Sequence, residues 1–398
     1  MEPGDGREGP LGVIADAAVR VRDGRIVWLG CGRDLPSVRS HEEVVDAGGG
    51  VVMPGLVDCH THLVHGGWRA DEYAMRSRGK SYAEIASAGG GIMSTVRATR
   101  AASAEELFLS AAARADEALS LGTTTVEIKT GYGQDVPSEF KMAEVIAKLS
   151  REHAIEVVGT FLGLHALPPE FEGRRAEFVR LVCEEMLPAM AAGGSVTSCD
   201  AFVEEGAFTA DEARALARAA EAEDLPLRLH VDQFHDGGGA SLAAELCAIS
   251  ADHLDFTSEE GMMAMAEAGV VAVCLPGASF FAGKGRHPDA RRMIDIGCTV
   301  AVSTDYNPGT SPSLDLFLAA SMAVAKTGMT CEEALAAITK NAAAALALSD
   351  RGALYAGKRA DLIVLDCESE LFPLYRYGSR FVSRSIVGGK IAFERGGR

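Results

Sequence analysis

The chain has 398 residues, 47% hydrophobic and 24% charged, the balance of an ordinary globular protein, and it is longer than one hydrophobic core usually organises. Its formal charge of −18 repels phosphate, which excludes nucleic acid and anionic membrane surfaces and leaves a small molecule as the expected partner. No stretch approaches the roughly 18 apolar residues of a membrane span, the opening residues lack the apolar core of a signal peptide, and the nine cysteines form no Cys-x-x-Cys. They read as reduced thiols, so the cytoplasm is the expected compartment.

In chain order, residues 17–22 and 25–30 alternate as strands around Asp23-Gly24, the signature of a tight hairpin. Eight apolar runs follow that read as strands: 51–58, 124–129, 156–164, 201–203, 227–231, 249–254, 270–275 and 299–303. Alanine-rich helical patterns lie between them, such as 103–121, 209–222 and 258–268, and Ser103 with Glu106 has capping-box spacing. Residues 360–366 are strand-like again, and 385–387 pairs with 390–393 across Gly388-Gly389. Eight strands alternating with helices predict a (β/α)₈ TIM-like barrel over 53–352. The two β-rich ends, 1–52 and 353–398, are predicted to meet in one small β-sandwich domain.

Barrels of this kind work at the C-terminal ends of their strands. His60 and His62 follow the first strand, His165 the third, His230 ends the fifth, His253 follows at the sixth and Asp305 at the eighth. His60-x-His62 puts two imidazoles on one side of an extended chain. With His230 and the carboxylate of Asp305 they make a ligand set for one divalent metal per chain, zinc or iron. The three glycines at 89–91 lack the Lys-Ser/Thr ending of a phosphate loop and read as a flexible loop at the site. Tyr82 reads as helix packing or a ligand contact; Tyr132, between two glycines, as a gate or a plug.

The segment Pro54-Gly55-Leu56-Val57-Asp58-Cys59-His60-Thr61-His62 resembles the first-strand signature of the amidohydrolase superfamily. Asn341-Ala342-Ala343, Gly352-Ala353-Leu354, Gly357-Lys358 and Ala360-Asp361-Leu362 resemble its C-terminal signature. Finer motifs are similar to one branch of it: Gly66-Gly67-Trp68-Arg69, Tyr82-Ala83-Glu84-Ile85, 89–96, 127–133, Ser250-Ala251-Asp252-His253 and 304–309. The likeness runs from about Ile14 onward. It implies hydrolysis of the cyclic amide of 4-imidazolone-5-propanoate to N-formimidoyl-L-glutamate, a step of histidine degradation, and a homodimer.

On that resemblance Asp305 accepts the proton of the attacking water and delivers it to the leaving nitrogen. His253 polarises the ring carbonyl or shares the base role. Arg69, Tyr132, His165 and Gln233 are expected to contact the anionic imidazolone, with Asn307, Gly309 and Thr310 from the last barrel loop; which end of the substrate Arg69 meets is open. Gln233 stands where the family has a carboxylate or an amide, and it carries no proton at ordinary pH. That speaks against an aminohydrolase of the cytosine-deaminase kind, which uses a carboxylate there. A two-metal site needs a bridging lysine on the fourth strand, and residues 200–204 contain none. His65 replaces a common aromatic, and Thr130 and Thr310 replace serines.

Overall fold

The Asp23-Gly24 hairpin forms where the sequence places it. Strand β1 (Ala17–Arg22) pairs antiparallel with β2 (Arg25–Cys31), and both turn residues have positive φ, 50° and 74°, the backbone a two-residue hairpin requires. The computed structural model describes residues 8–38, 40, 42–81, 84–85, 88–283 and 285–396. Tyr82 lies outside them, and with it the choice between packing and ligand contact.

The run 51–58 is two strands in two sheets rather than one. β3 (Val51–Pro54) joins the small domain, and β4 (Leu56–Asp58) opens the barrel. Gly55 is the joint: a Cβ there would overlap the Thr124 side chain of the neighbouring strand, so only glycine lets the chain cross between sheets.

From β4 the barrel continues through β5 (Thr123–Lys129), β6 (Glu156–Leu164), β7 (Ser198–Val203), β8 (Leu227–Val231), β9 (Ser250–His253), β10 (Val271–Cys274) and β11 (Val300–Val302). Among the described residues these eight strands are parallel, each paired with the next. A parallel bridge between Thr61 and Tyr306, with the His62 amide donating to the Tyr306 carbonyl at 2.8 Å, brings the last strand back to the first. Asp58 clasps the same seam. Its carboxylate accepts from the Thr304 amide (3.1 Å), the Thr304 hydroxyl (2.6 Å) and the Ser303 hydroxyl, and burial pushes its pKa up to about 6.

The helices lean on this cylinder through small residues. Ala111, Ala115 and Leu119 of the helix Ala104–Ser120 share a core cluster with Val126 and Ile128 of β5. That helix begins with the predicted capping box: Ser103 Oγ accepts from the Glu106 amide at 3.2 Å and Glu106 accepts from the Ser103 amide at 2.8 Å, an arrangement worth about 1 kcal/mol.

The small domain draws strands from both ends of the chain. β12 (Leu362–Leu365), β13 (Val382–Val387) and β14 (Lys390–Glu394) form an antiparallel sheet in the order β14-β13-β12-β3. The β1–β2 hairpin packs on it, Ile26 sharing a core with Ala360, Leu362 and Ile386.

Candidate active site

At the C-terminal end of the barrel, the extended chain after β4 turns His60 and His62 inward, β8 contributes His230, and β9 ends on His253. Asp305 arrives three residues after β11. All five side chains are buried. The His60 ring centroid lies 4.4 Å from His230, 5.6 Å from His62 and 5.7 Å from His253. Asp305 Oδ1 sits 3.5 Å from His60 Nε2 and 3.7 Å from His62 Nε2. Asp305 and His253 hold φ of 50° and 82°, left-handed conformations that non-glycine residues adopt at a cost and that concentrate at working sites.

The imidazole tautomers are set from behind. His60 Nδ1–H donates to Asp252 Oδ2 at 2.6 Å, and His230 Nδ1–H donates to Asp200 at 3.0 Å. Each ring then turns an Nε2 lone pair into the cluster, and those two buried atoms have no hydrogen-bond partner. Donor atoms of His60, His62 and Asp305 lie within 4.8 Å of one another, as do those of His60, His230 and His253. Burial, with Lys129 next, drives the His60 pKa well below its ordinary value. Burial likewise lowers His62 and His253 and raises Asp305 well above the carboxylate range. Orphaned lone pairs on neutral imidazoles beside an uncompensated carboxyl are the environment a divalent cation stabilises, so the residues fit a metal ion.

The ionic floor beneath this cluster was not singled out from the sequence. Lys129 Nζ donates to Glu127 Oε1 at 2.9 Å and Asp200 Oδ2 at 2.8 Å, and Arg228 Nη2 lies 3.5 Å from Asp252 Oδ2. All five groups are buried. For Lys129 burial favours the neutral form, but Asp200 and Glu127 outweigh it and its pKa rises. For Asp252 burial is likewise outweighed, by Arg228 and Lys129, and the carboxylate stays ionised. Asp200 and Asp252 are thus committed as counter-ions and histidine acceptors. The available signal was charge inside barrel strands: Glu127 and Lys129 in β5, Asp200 in β7, Arg228 in β8 and Asp252 in β9.

Apart from Gln233, the other expected residues fall in two groups on the rim. Tyr132 and His165 join His62: His62 stacks on His165 at 5.2 Å and 15°, with Tyr132 5.4 Å from His62 and 5.2 Å from His165. Burial lowers the His165 pKa to about 3. Phe202, which carries no motif in the sequence, closes this wall 5.8 Å from His230. His65 does take an aromatic place, buried 6.0 Å from Tyr306 and 6.5 Å from Tyr132.

The second group is Arg69 with Asn307, Gly309 and Thr310. Arg69 donates to Glu72 from Nε (3.0 Å) and Nη2 (2.8 Å), and its Nη1 lies so close to Gly309 that a Cβ there would collide with it. Asn307 folds its own loop: Nδ2 donates to the Asp305 carbonyl (2.6 Å), and Oδ1 accepts from the Gly309 (2.8 Å) and Thr310 (2.7 Å) amides. Gln233, three residues past His230, is half-buried, and its backbone N–H donates to Glu204 Oε2 at 2.9 Å.

The chain belongs to the amidohydrolase family, whose model matches residues 51–392. Two of the many solved structures that share its fold stand for the rest. These are a 5-methylcytosine deaminase from Klebsiella pneumoniae (TM-score 0.73, 15% identity, 99% of this chain and 98% of that one) and an ochratoxinase from A. niger (0.68, 21%, 96% and 92%). Within the family it groups with the imidazolonepropionases. It is 45% identical to that of Polaromonas sp. over 97% of this chain and 91% of that protein. It is 46% identical to that of Cupriavidus metallidurans (97% and 93%) and 44% to that of Symbiobacterium thermophilum (96% and 92%).

Proposed function

We propose that the barrel mouth holds one divalent metal ion, zinc or iron, on His60, His62, His230 and Asp305, and that there the enzyme opens the ring of 4-imidazolone-5-propanoate. The reaction is the hydrolysis that gives N-formimidoyl-L-glutamate in histidine degradation. The observation that carries this reading is a pair of overlapping groups at the working end of an amidohydrolase barrel, His60 with His62 and Asp305, and His60 with His230 and His253, which share the His60 imidazole. When bound, the metal acidifies a water and polarises a carbonyl.

The residues supply the rest. Asp305 takes a proton from the attacking water and returns it to the ring nitrogen as the lactam C–N bond breaks. The carbonyl carbon leaves as a carboxylate and the nitrogen stays in the formimidoyl group. His253 faces the same space, and its neutral ring polarises the carbonyl or shares the proton transfer. Tyr132, His165 and Gln233 enclose the ring, and the Arg69 guanidinium supplies the positive charge an anionic substrate needs on so acidic a protein. Asn307 acts by shaping the loop that carries Gly309 and Thr310.

Nine free cysteines support a reducing compartment, the cytoplasm. Among the described residues no helix is long and apolar enough to cross a membrane. The homodimer expected from the resemblance is checked by sedimentation. The deciding experiment follows ultraviolet loss of imidazolonepropanoate, freshly made from urocanate, with metal content on the same sample. Turnover with about one metal per chain is the expected result. Metal without turnover overturns the substrate, and turnover in thoroughly metal-free enzyme overturns the metal site.

A further inference from the structure

Glu139 is buried at the first turn of the helix Val136–Glu152, just past the loop that carries Tyr132. Its carboxylate collects the loop's backbone. Oε1 accepts from the amides of Gly133 (2.7 Å), Gln134 (2.8 Å) and Gly131 (3.1 Å), and Oε2 accepts from Gly131 (2.9 Å). Three amides converging on one anion fix the path of residues 131–134, because hydrogen bonds to a charged acceptor are about twice as strong as neutral ones. The path is otherwise unfavourable: Gly131 has φ of 105° and Gln134, not a glycine, has φ of 56°.

What the loop fixes is on its other side. The Gly131 carbonyl accepts a hydrogen bond from His165 Nδ1 at 3.1 Å. A carbonyl can only accept, so His165 carries its proton on Nδ1 and presents Nε2 as an acceptor. Tyr132, next in sequence, is placed against His62 and His165 by the same backbone. A Cβ at Gly131 would lie 2.9 Å from His165 Nδ1, so loop and imidazole have no slack between them.

We infer that Glu139 is the positioning residue for this half of the substrate pocket: it sets the Tyr132 ring and the His165 tautomer through the 131–134 backbone. It does not touch the reacting atoms, and it is remote in sequence from every metal ligand. The inference rests on the reading of Tyr132 and His165 as substrate contacts, and it adds a residue whose loss should act on binding rather than on metal or chemistry.

The test uses full-length holoenzyme carrying Glu139→Ala and Glu139→Gln. Glu139→Ala should raise KM at least about tenfold, with kcat and metal content near wild type, and Glu139→Gln, which keeps one acceptor oxygen, should fall between. In an enzyme already carrying Tyr132→Ala and His165→Asn, adding Glu139→Ala should change KM little; a merely structural role would add its full effect. The second readout needs no turnover: nitrogen-15 spectra of histidine-labelled protein should show His165 as the Nδ1–H tautomer in wild type and as a mixture in Glu139→Ala. An unchanged KM, or an unchanged His165 signature in both folded variants, overturns the inference. If wild type itself fails to consume imidazolonepropanoate, the substrate reading falls and the His165 spectra still decide the role of Glu139.

Discussion

The floor of the site and its rim solve the same problem, holding polar groups still in a buried place, by opposite means. On the floor the working atoms sit on or just beyond barrel strands, and side chains hold side chains: Asp252 orients His60, Asp200 orients His230, and Lys129 and Arg228 balance the carboxylates. On the rim the proposed substrate contacts sit on loops, and buried side chains hold backbone: Glu139 gathers residues 131–134, Glu204 the amides of Gln233 and Phe234, and Asn307 those of Gly309 and Thr310. Strand pairing already fixes the floor's backbone, so what remains is charge. Loops lack that ladder, and their amides must find acceptors of their own.

The largest expected effect comes at the proposed metal ligands above the floor. His230→Ala should lose bound metal and activity together, a fall on the order of 10³-fold or more, read by metal analysis and initial rates. Full activity in that variant would remove His230 from the ligand set. Lys129→Met touches no ligand but strands Glu127 and Asp200 as buried anions. It should cost about 3–5 kcal/mol of stability in urea titrations of the metal-loaded protein; a loss under about 1 kcal/mol would mean that the floor is not an ionic assembly.

Asp252→Ala leaves the His60 ring without its acceptor and should weaken metal binding by about 10–100-fold in competition with a chelator. Unchanged affinity would show that the strand alone aims the imidazole. On the rim, Gln233→Ala removes one neutral hydrogen bond and should raise KM roughly 3–10-fold with metal content intact, whereas an unchanged KM would place Gln233 outside the pocket. The smallest effect concerns protons. Burial holds His165 near pKa 3, and since a depressed histidine is neutral at every pH above that value, it changes no charge between pH 5 and 8. His165→Asn should therefore raise KM without altering the shape of its pH dependence there; a lost inflection would show that His165 titrates while working.

The difference between floor and rim also explains what could be read from the chain. The hairpins at Asp23-Gly24 and Gly388-Gly389, the Ser103–Glu106 cap and the alternation of apolar runs with helical patterns are local signals, carried by residues a few positions apart, and they led to the barrel. Once the barrel was read, the grouping of His60, His62, His230, His253 and Asp305 followed, because each lies at or just past the end of a strand and all barrel strands end on one face. The run 51–58 misled because a single apolar stretch does not show that Gly55 meets Thr124 of another strand.

The sequence by itself thus determined the family, the architecture and the candidate metal ligands, since those rest on local patterns whose spacing the chain displays directly. The tertiary structure alone decided which carboxylates answer which imidazoles. It also decided that Asn307 hydrogen-bonds within its own loop and that Glu139 gathers the backbone amides on either side of Tyr132. Those pairings join residues as far apart as His60 and Asp252, and a buried charge chooses its partner by distance in space, which separation along the chain does not encode.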